Sequence, residues 1–238
     1  MTGAAAIQAW SNLPAEAIAA TEPDGDFFKK HLINPAVFRL LGAVAGRRVL
    51  DAGAGTGYLS RLLAARGAVV TAVEPAGGLF SYGAAREAEL GQGIEWVQAD
   101  LTSWEPGPVF DAVIASMVFL SIPDWTAALD CCVRALRPGG QLIFSIDHPC
   151  FEPGVGQWTD TGVIALTEYL AEYVMHRPVA PDTHRPLSTY LNAVIAAGCE
   201  LTEVVEPGLD PALVAGGPPR AAVLVHVPCF LIVAATRA

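Results

Sequence analysis

The chain has 238 residues, of which 53% are hydrophobic and 16% are charged. This composition excludes an extended disordered chain and supplies enough apolar surface for a buried core. The 14 Lys and Arg residues against 24 Asp and Glu residues give a formal net charge of −10, which disfavours nucleic acid as a partner because its phosphates are repelled.

Strands and helices alternate through the middle of the chain. Hydrophobic patterning predicts buried strands at 48–51, 68–74, 94–98, 110–116 and 141–146. Helices are predicted at 58–66, 76–90 and 125–136. After a break, a helix at 187–197 and strands at 199–206 and 230–236 follow, and the last strand is expected to be antiparallel. The pattern predicts a doubly wound α/β fold whose seven-stranded, mostly parallel sheet carries helices on both faces.

Residues 148–185 interrupt this alternation. The segment carries Pro, Gly and large aromatic residues, with one predicted helix around 164–175. We expect an insertion after the fifth strand that lies over the carboxyl edge of the sheet.

The most specific motif joins the first strand to the first helix of the alternating region. It reads Asp51-Ala-Gly53-Ala-Gly55-Thr-Gly57. Glycines between a strand and a helix let a ligand approach the backbone. The spacing is GxGxG, not the dinucleotide GxGxxG, and an acid precedes it. That acid would repel a pyrophosphate and suits a ligand carrying an ammonium or sulfonium.

Two further acids follow the next two strands. Glu74 ends the second strand, where a carboxylate can accept hydrogen bonds from ribose hydroxyls. Asp100 ends the third strand, where a carboxylate can accept from an adenine amino group, or cap a turn. Together with Asp51 they predict a pocket for an adenosine ligand without phosphates.

The segments VLDAGAGTGYLSRLLAARGAVVTAVEP, GIEWVQADL, FDAVIASMVFLSIPD and ALRPGGQLIFSIDHPCF resemble the ordered motifs of class I S-adenosylmethionine-dependent methyltransferases. The resemblance covers roughly residues 35–150 and implies a Rossmann-like methyltransferase fold with S-adenosyl-L-methionine as cofactor and S-adenosyl-L-homocysteine as product. It also implies a set of cofactor-binding residues: Asp51, Gly53, Gly55, Gly57, Glu74, Pro75, Asp100, Leu101, Ser116 and Met117.

We therefore expect a single methyltransferase domain in four consecutive parts. These are an N-terminal helical cap at 1–45, a cofactor-binding core at 46–147, a substrate-cap insertion at 148–185, and a closing helix and strands at 186–238.

His148 is the candidate catalytic residue, because it directly follows the fifth strand and has an unperturbed pKa near neutrality. The alternative is a histidine that hydrogen-bonds the backbone and shapes the turn. Candidate substrate-binding residues come from the N-terminal segment and the insertion: His31, Trp158, Tyr169, Tyr173, His176 and His184. The histidine spacings match no metal-ligand pattern, so no metal site is predicted. Trp10 and Trp125 are interpreted as core residues.

The sequence predicts an enzyme that moves a methyl group to O, N or C of a small molecule, with secondary metabolism as one setting. The alternatives are a protein of the same fold that binds the cofactor without methylating, as a cyclase or scaffold, and an NAD-dependent oxidoreductase. The N-terminus lacks the basic start of a secretory signal, and the apolar stretch at 221–235 is too short for a membrane span. We expect a cytoplasmic protein with no membrane partner. Whether it is a homodimer stays open.

Overall fold

The computed structural model describes residues 2–107, 109–151, 158 and 160–238. Its strands are β1 Arg48–Ala52, β2 Val69–Val73, β3 Glu95–Val97, β4 Phe110–Ser116, β5 Leu136–Asp147, β6 Tyr173–Met175, β7 Asp182–His184, β8 Cys199–Val205 and β9 Phe230–Arg237.

The main sheet has seven strands in the order β3-β2-β1-β4-β5-β9-β8. The first five strands pair in parallel, and β9 runs antiparallel between β5 and β8. The predicted seven-stranded, mostly parallel sheet is confirmed. Parallel pairing requires a crossover connection between consecutive strands, and helices supply several of them here.

The helices are α1 Gly3–Ser11, α2 Ala15–Ala19, α3 Asn34–Leu41, α4 Tyr58–Ala64, α5 Gly77–Leu90, α6 Trp125–Ala135 and α7 Leu187–Ala196. A π-helical turn at Lys29–Ile33 leads directly into α3, and short 3₁₀ turns lie at Pro211–Gly216 and Val223–Val225. Side chains cap two of the helices: Thr2 accepts from the backbone N–H of Ala5 at the start of α1, and Asp124 accepts from Ala127 at the start of α6.

The core lies on both faces of the sheet. Val49 and Leu50 are consecutive in β1 and fully buried, and they belong to separate hydrophobic clusters because adjacent strand residues point to opposite faces. The cluster around Val49 includes residues of α3 and α4, and the cluster around Leu50 includes residues of α6 and α7. Burying each large apolar side chain stabilises the fold by about 1.5–3 kcal/mol before conformational entropy is counted.

The prediction of a helix around 164–175 is wrong. Tyr173–Met175 instead forms a strand that pairs antiparallel with Asp182–His184. Leu166 and Leu170 are 47% and 83% exposed, so these apolar positions do not form the buried stripe that stabilises an amphipathic helix.

Strand β5 begins five residues earlier than predicted. Leu136 already pairs with Phe110, and the register shifts before Gln141 pairs with Ala112. Gly139 supplies a backbone with φ 73° within this irregular stretch. The Pro-Gly-Gly sequence therefore forms a bulge that continues into the strand.

Within the residues that the structure describes, no helix combines the length and the apolar character needed to cross a bilayer.

Candidate functional site

A cavity of about 420 Å³ lies at the carboxyl edge of the sheet, a size within the range of small-molecule sites. Open parallel sheets bind ligands at this edge, because the loops that follow the strands converge there. Residues from several parts of the chain line the cavity. They come from the N-terminal segment, the loop after β1, the ends of β2 and β4, the segment after β3, the first turns of α4 and α5, and the loop between β4 and α6.

The loop after β1 contains the three predicted glycines. Gly53 and Gly57 have φ values of 74° and 76°, a left-handed conformation that side chains with a Cβ rarely adopt. A Cβ at Gly53 would lie 2.7 Å from Val118, and one at Gly57 would lie 2.5 Å from Trp96. Glycine is therefore required both by the backbone and by the close packing around the loop.

Asp51 lies beneath this loop and is 2% exposed. The Ser60 hydroxyl donates to its Oδ2 at 2.6 Å. Burial raises the pKa of Asp51 to about 6, because the loss of water outweighs the hydrogen bond from Ser60. A cationic ligand would restore the charged form.

Glu74 connects the end of β2 to the glycine loop. Its Oε2 accepts from the backbone N–H of Gly55 and its Oε1 accepts from that of Ala76, both at 2.8 Å. Burial raises the pKa of Glu74 to about 7 despite these two bonds. Each carboxylate oxygen retains a second lone pair that can accept from a ligand hydroxyl.

Asp100 stands at the cavity after β3 and forms a tight turn. Its Oδ1 accepts from the Thr102 backbone N–H at 2.9 Å and from the Thr102 hydroxyl at 2.8 Å. This is the turn-capping arrangement that the sequence left open, and it holds the carboxylate at the cavity lining.

Ser116 and Met117 close the cavity at the end of β4. Met117 has a φ of 61°, and its backbone N–H donates to both the carbonyl and the hydroxyl oxygens of Ser145. The unusual backbone conformation is thus held by the neighbouring strand β5. The structure brings all of the predicted cofactor-binding residues except Gly57 into the lining; Gly57 forms the end of the same loop.

The N-terminal segment supplies lining residues that the sequence did not predict. Trp10, interpreted as core, instead lines the cavity from α1, and this interpretation is corrected. Lys29 and Tyr58 also line it; the Lys29 ammonium lies 5.5 Å from the centre of the Tyr58 ring. Trp125, by contrast, is buried in the core as predicted.

Polar contacts attach this N-terminal segment to the glycine loop and α4. The Thr21 and Thr56 hydroxyl oxygens lie 3.0 Å apart, and Glu22 forms an ion pair with Arg61. The helical cap predicted from the sequence therefore forms a wall of the cavity. The sequence gives little indication that α1 lines the cavity, because α1 is alanine-rich and its contacts involve residues far along the chain.

His148 does not reach the cavity lining. It is 2% exposed, its Nδ1 accepts from the Cys150 backbone N–H at 3.1 Å, and its Nε2 lies 2.7 Å from Oε1 of Glu206. Since Nδ1 is an acceptor, Nε2 carries the hydrogen in the neutral ring. This geometry fits the turn-shaping alternative better than a general base.

The candidate substrate residues also lie outside this cavity lining. His31 contacts Phe27, with ring centres 4.8 Å apart. His184 is buried, stacks on Tyr173 and places its Nε2 3.0 Å from the Tyr169 carbonyl oxygen. These contacts make His184 part of the packing of the insertion.

His176 and Trp158 are the remaining two candidates. His176 is exposed, and Trp158 stacks on His226 with ring centres 5.5 Å apart. Among residues 2–107, 109–151, 158 and 160–238, no group of three or more His, Cys, Asp or Glu side chains is arranged to hold a metal ion.

Comparison with known proteins identifies a methyltransferase domain in the middle of the chain. Residues 49–140 match a family model described as a methyltransferase domain. A ubiquinone biosynthesis O-methyltransferase from Idiomarina loihiensis is 32% identical over 130 residues, which cover 52% of this chain and 54% of that protein. The chain thus spans about half the length of the curated relatives that it matches.

Solved structures extend the similarity over more of the chain. An S-adenosylmethionine-dependent methyltransferase from Mesorhizobium loti superposes with a TM-score of 0.73 at 27% identity, covering 85% of this chain and 96% of that one. The [4+2]-cyclase SpnF superposes with a TM-score of 0.63 at 19% identity, and the superposition covers 86% of this chain and 79% of the cyclase. At this identity the similarity is one of fold only.

The sheet order and the three strand-end acids define a protein with the Rossmann-like methyltransferase fold. The family match over residues 49–140, the curated relatives and the solved structures support a class I S-adenosylmethionine-dependent methyltransferase. They favour this class of protein over the oxidoreductase alternative.

Proposed function

We propose that the protein binds S-adenosyl-L-methionine in the cavity at the carboxyl edge of the sheet and transfers its methyl group to a small molecule. The observation that carries the proposal is the meeting of Asp51, Glu74 and Asp100 around one glycine loop. Among the described residues that line the cavity, Lys29 is the one cationic side chain. A nucleoside with an attached amino acid fits this charge pattern, whereas a dinucleotide pyrophosphate does not.

Each part of the cofactor has a chemically matched group. The Asp51 carboxylate suits the ammonium and the nearby sulfonium, because a buried anion is stabilised by a cation. Glu74 suits the ribose hydroxyls, and Asp100 suits the adenine amino group. Lys29 suits the α-carboxylate, since it provides the positive charge on the lining.

The protein's contribution to the transfer is alignment in a dry pocket. When bound, the cofactor supplies an activated methyl group that undergoes in-line displacement. Apolar side chains of α1, including Ile7 and Trp10, line the cavity, where they would limit the access of water to the bound cofactor. Holding the acceptor atom close and aligned lowers the barrier without any proton transfer.

No histidine or cysteine belongs to the described residues that line the cavity. A base is needed only where the accepting atom must lose a proton during transfer. The lining therefore offers carboxylates in place of an imidazole or a thiol, and it also suits an acceptor whose proton leaves through water.

The curated relatives named O-methyltransferases favour an oxygen acceptor. Their alignment covers about half of each protein, so the quinone-related substrate in their name is not carried over. The net charge of −10 supports a small-molecule acceptor over nucleic acid.

Methyl transfer is tested with methyl-labelled S-adenosyl-L-methionine and a panel of phenols, catechols, amines and carboxylic acids. We expect label in a small-molecule product and stoichiometric formation of S-adenosyl-L-homocysteine. The Asp51→Asn variant is the matched control, because it keeps the side-chain volume and removes the charge. Cofactor that binds but is never consumed by any acceptor would contradict the proposal.

A second candidate function is that of a cofactor-binding protein that does not methylate. The SpnF cyclase shares the fold, and the lining without histidine or cysteine would not distinguish the two. A product of unchanged mass, formed only with the cofactor present and without its consumption, would identify this second function.

A further inference from the structure

The insertion contacts the cavity wall near its end, through Asp182, Thr183 and Arg185. The wall in question is the β4–α6 loop, residues 117–124, which contributes Met117, Val118 and residues 121–124 to the cavity lining. We infer that Arg185 is a positioning residue that holds this loop in place and thereby sets the shape of the cavity. The inference rests on the proposed function of that cavity.

Arg185 is 3% exposed and donates to the backbone of the loop. Its Nη1 donates to the Phe119 carbonyl at 3.2 Å, and its Nη2 donates to the carbonyls of Ile122 and Pro123 at 3.2 and 3.4 Å. One planar guanidinium thus binds three carbonyl groups spread over five residues. Lysine cannot reproduce this, because it carries a single point charge.

The surroundings of Arg185 compensate for the burial of its charge. Its guanidinium lies 5.5 Å from the Trp125 ring centre, and its Nε lies 3.8 Å from the Glu172 carboxylate. The Tyr190 hydroxyl accepts a further bond at 3.4 Å. A buried arginine whose donors are directed to loop carbonyls fixes loop geometry, because any loop movement leaves the charge unsatisfied.

Two neighbours of Arg185 bind the same loop. The Thr183 backbone N–H donates to the Leu120 carbonyl at 2.8 Å, and the Ser121 hydroxyl donates to Asp182 Oδ1 at 2.6 Å. Asp182, Thr183 and Arg185 therefore contact the loop at every position from 119 to 123. We call these three residues the loop clamp.

The loop clamp links the insertion to the cavity through the β4–α6 loop. Described residues of 148–185 contribute none of the lining. The insertion instead acts through the position of the β4–α6 loop, so its effect on ligand affinity should be indirect and should pass through Arg185.

The test combines hydrogen–deuterium exchange with calorimetry on the full chain. In Arg185→Gln we expect amide exchange in residues 117–124 to accelerate by about tenfold or more, while β1 and β5 keep their protection, since hydrogen bonds to a charged group are removed. S-adenosyl-L-homocysteine should bind about tenfold more weakly. Arg185→Lys should be intermediate.

Arg47→Gln is the matched control. Arg47 also donates to backbone carbonyls, those of Leu41 and Asp111, but near the start of β1, at the opposite edge of the sheet. We expect it to lower the melting temperature without changing exchange in the β4–α6 loop or affinity for S-adenosyl-L-homocysteine.

Ser121→Ala covers the case in which Arg185→Gln fails to fold. It removes one hydrogen bond to Asp182 and should raise exchange locally in 117–124. Exchange that rises uniformly over the whole molecule, or a loop unaffected in both variants, would overturn the positioning role. A wild-type protein that does not bind S-adenosyl-L-homocysteine would instead overturn the proposed function, while the exchange data would still report on the loop clamp.

Discussion

The Glu74 carboxylate accepts a hydrogen bond from the backbone N–H of Gly55 at 2.8 Å. The acid that ends β2 thus fixes the glycine loop that follows β1. Both are held before any ligand arrives, which lowers the entropic cost of binding. Glu74 therefore has two roles: it accepts from the ligand, and it keeps the loop in its binding conformation.

Replacing Glu74 by Ala should weaken binding of S-adenosyl-L-homocysteine by roughly 1.5–3 kcal/mol, the range for hydrogen bonds to a charged group. Isothermal titration calorimetry measures the change. Glu95→Gln is the control, because Glu95 is an exposed acid on the neighbouring strand β3. An unchanged dissociation constant in Glu74→Ala would remove this residue from the site.

Affinity for S-adenosyl-L-methionine should depend on pH. Burial raises the pKa of Asp51 to about 6, so this carboxyl is partly protonated at pH 5.5 and ionised at pH 7.5. Because the cation binds the ionised form, affinity should be roughly fourfold or more weaker at the lower pH. Calorimetry in two buffers of different ionisation enthalpy should also detect proton release near pH 6. The Asp51→Asn variant should bind weakly at both pH values, and wild-type affinity that is flat between them would contradict the expectation.

The ligand-free protein should lose stability as the pH rises. The folded-state pKa values of about 6 for Asp51 and about 7 for Glu74 lie above the unfolded values near 4. The folded state therefore binds more protons, and the free energy of unfolding falls between pH 4 and 7. Each group costs on the order of 3 kcal/mol once it is ionised.

Urea unfolding at several pH values measures this slope. Glu74→Gln should reduce it to about half, because Asp51 still contributes, whereas Glu95→Gln should leave it as in the wild type. Equal slopes in all three proteins would show that Glu74 ionises in the folded state as it does in water.

Replacing Trp10 by Ala should weaken binding of S-adenosyl-L-homocysteine roughly fivefold to thirtyfold, equivalent to the loss of about 1–2 kcal/mol of apolar contact. The Trp158→Ala, Tyr169→Ala double variant should bind almost normally, since neither side chain lines the cavity. If the double variant lost more affinity than Trp10→Ala, the insertion and not α1 would form the cover.

His148→Asn should leave the turnover number within a few-fold of the wild type. Both ring nitrogens of His148 are engaged, by Cys150 and Glu206, so the expected effect is a loss of stability of about 1–3 kcal/mol. A 10²–10⁴-fold fall in turnover with normal cofactor affinity would restore the general-base role.

The sequence predicts those residues of the site that lie at the ends of strands. Asp51, Glu74 and Asp100 lie at or just after the carboxyl ends of consecutive parallel strands. Such ends meet at one edge of the sheet, so the proximity of the three acids follows from topology alone. The seven-stranded sheet itself follows from the alternation of apolar strands and helices.

The remaining parts depend on long-range contacts that have no local signal. Trp10 and Lys29 reach the cavity only because the N-terminal segment folds back over the glycine loop, held by contacts such as that between Thr21 and Thr56. Tyr173–Met175 forms a strand because it pairs with residues 182–184, and its local sequence did not reveal that partner.

Calorimetric titration of the wild-type protein with S-adenosyl-L-homocysteine and, separately, with NAD tests the central claim most directly. The three strand-end acids and the single cationic side chain among the described cavity-lining residues predict saturable micromolar binding of S-adenosyl-L-homocysteine and no detectable binding of NAD. Saturable binding of NAD with no response to S-adenosyl-L-homocysteine would contradict it.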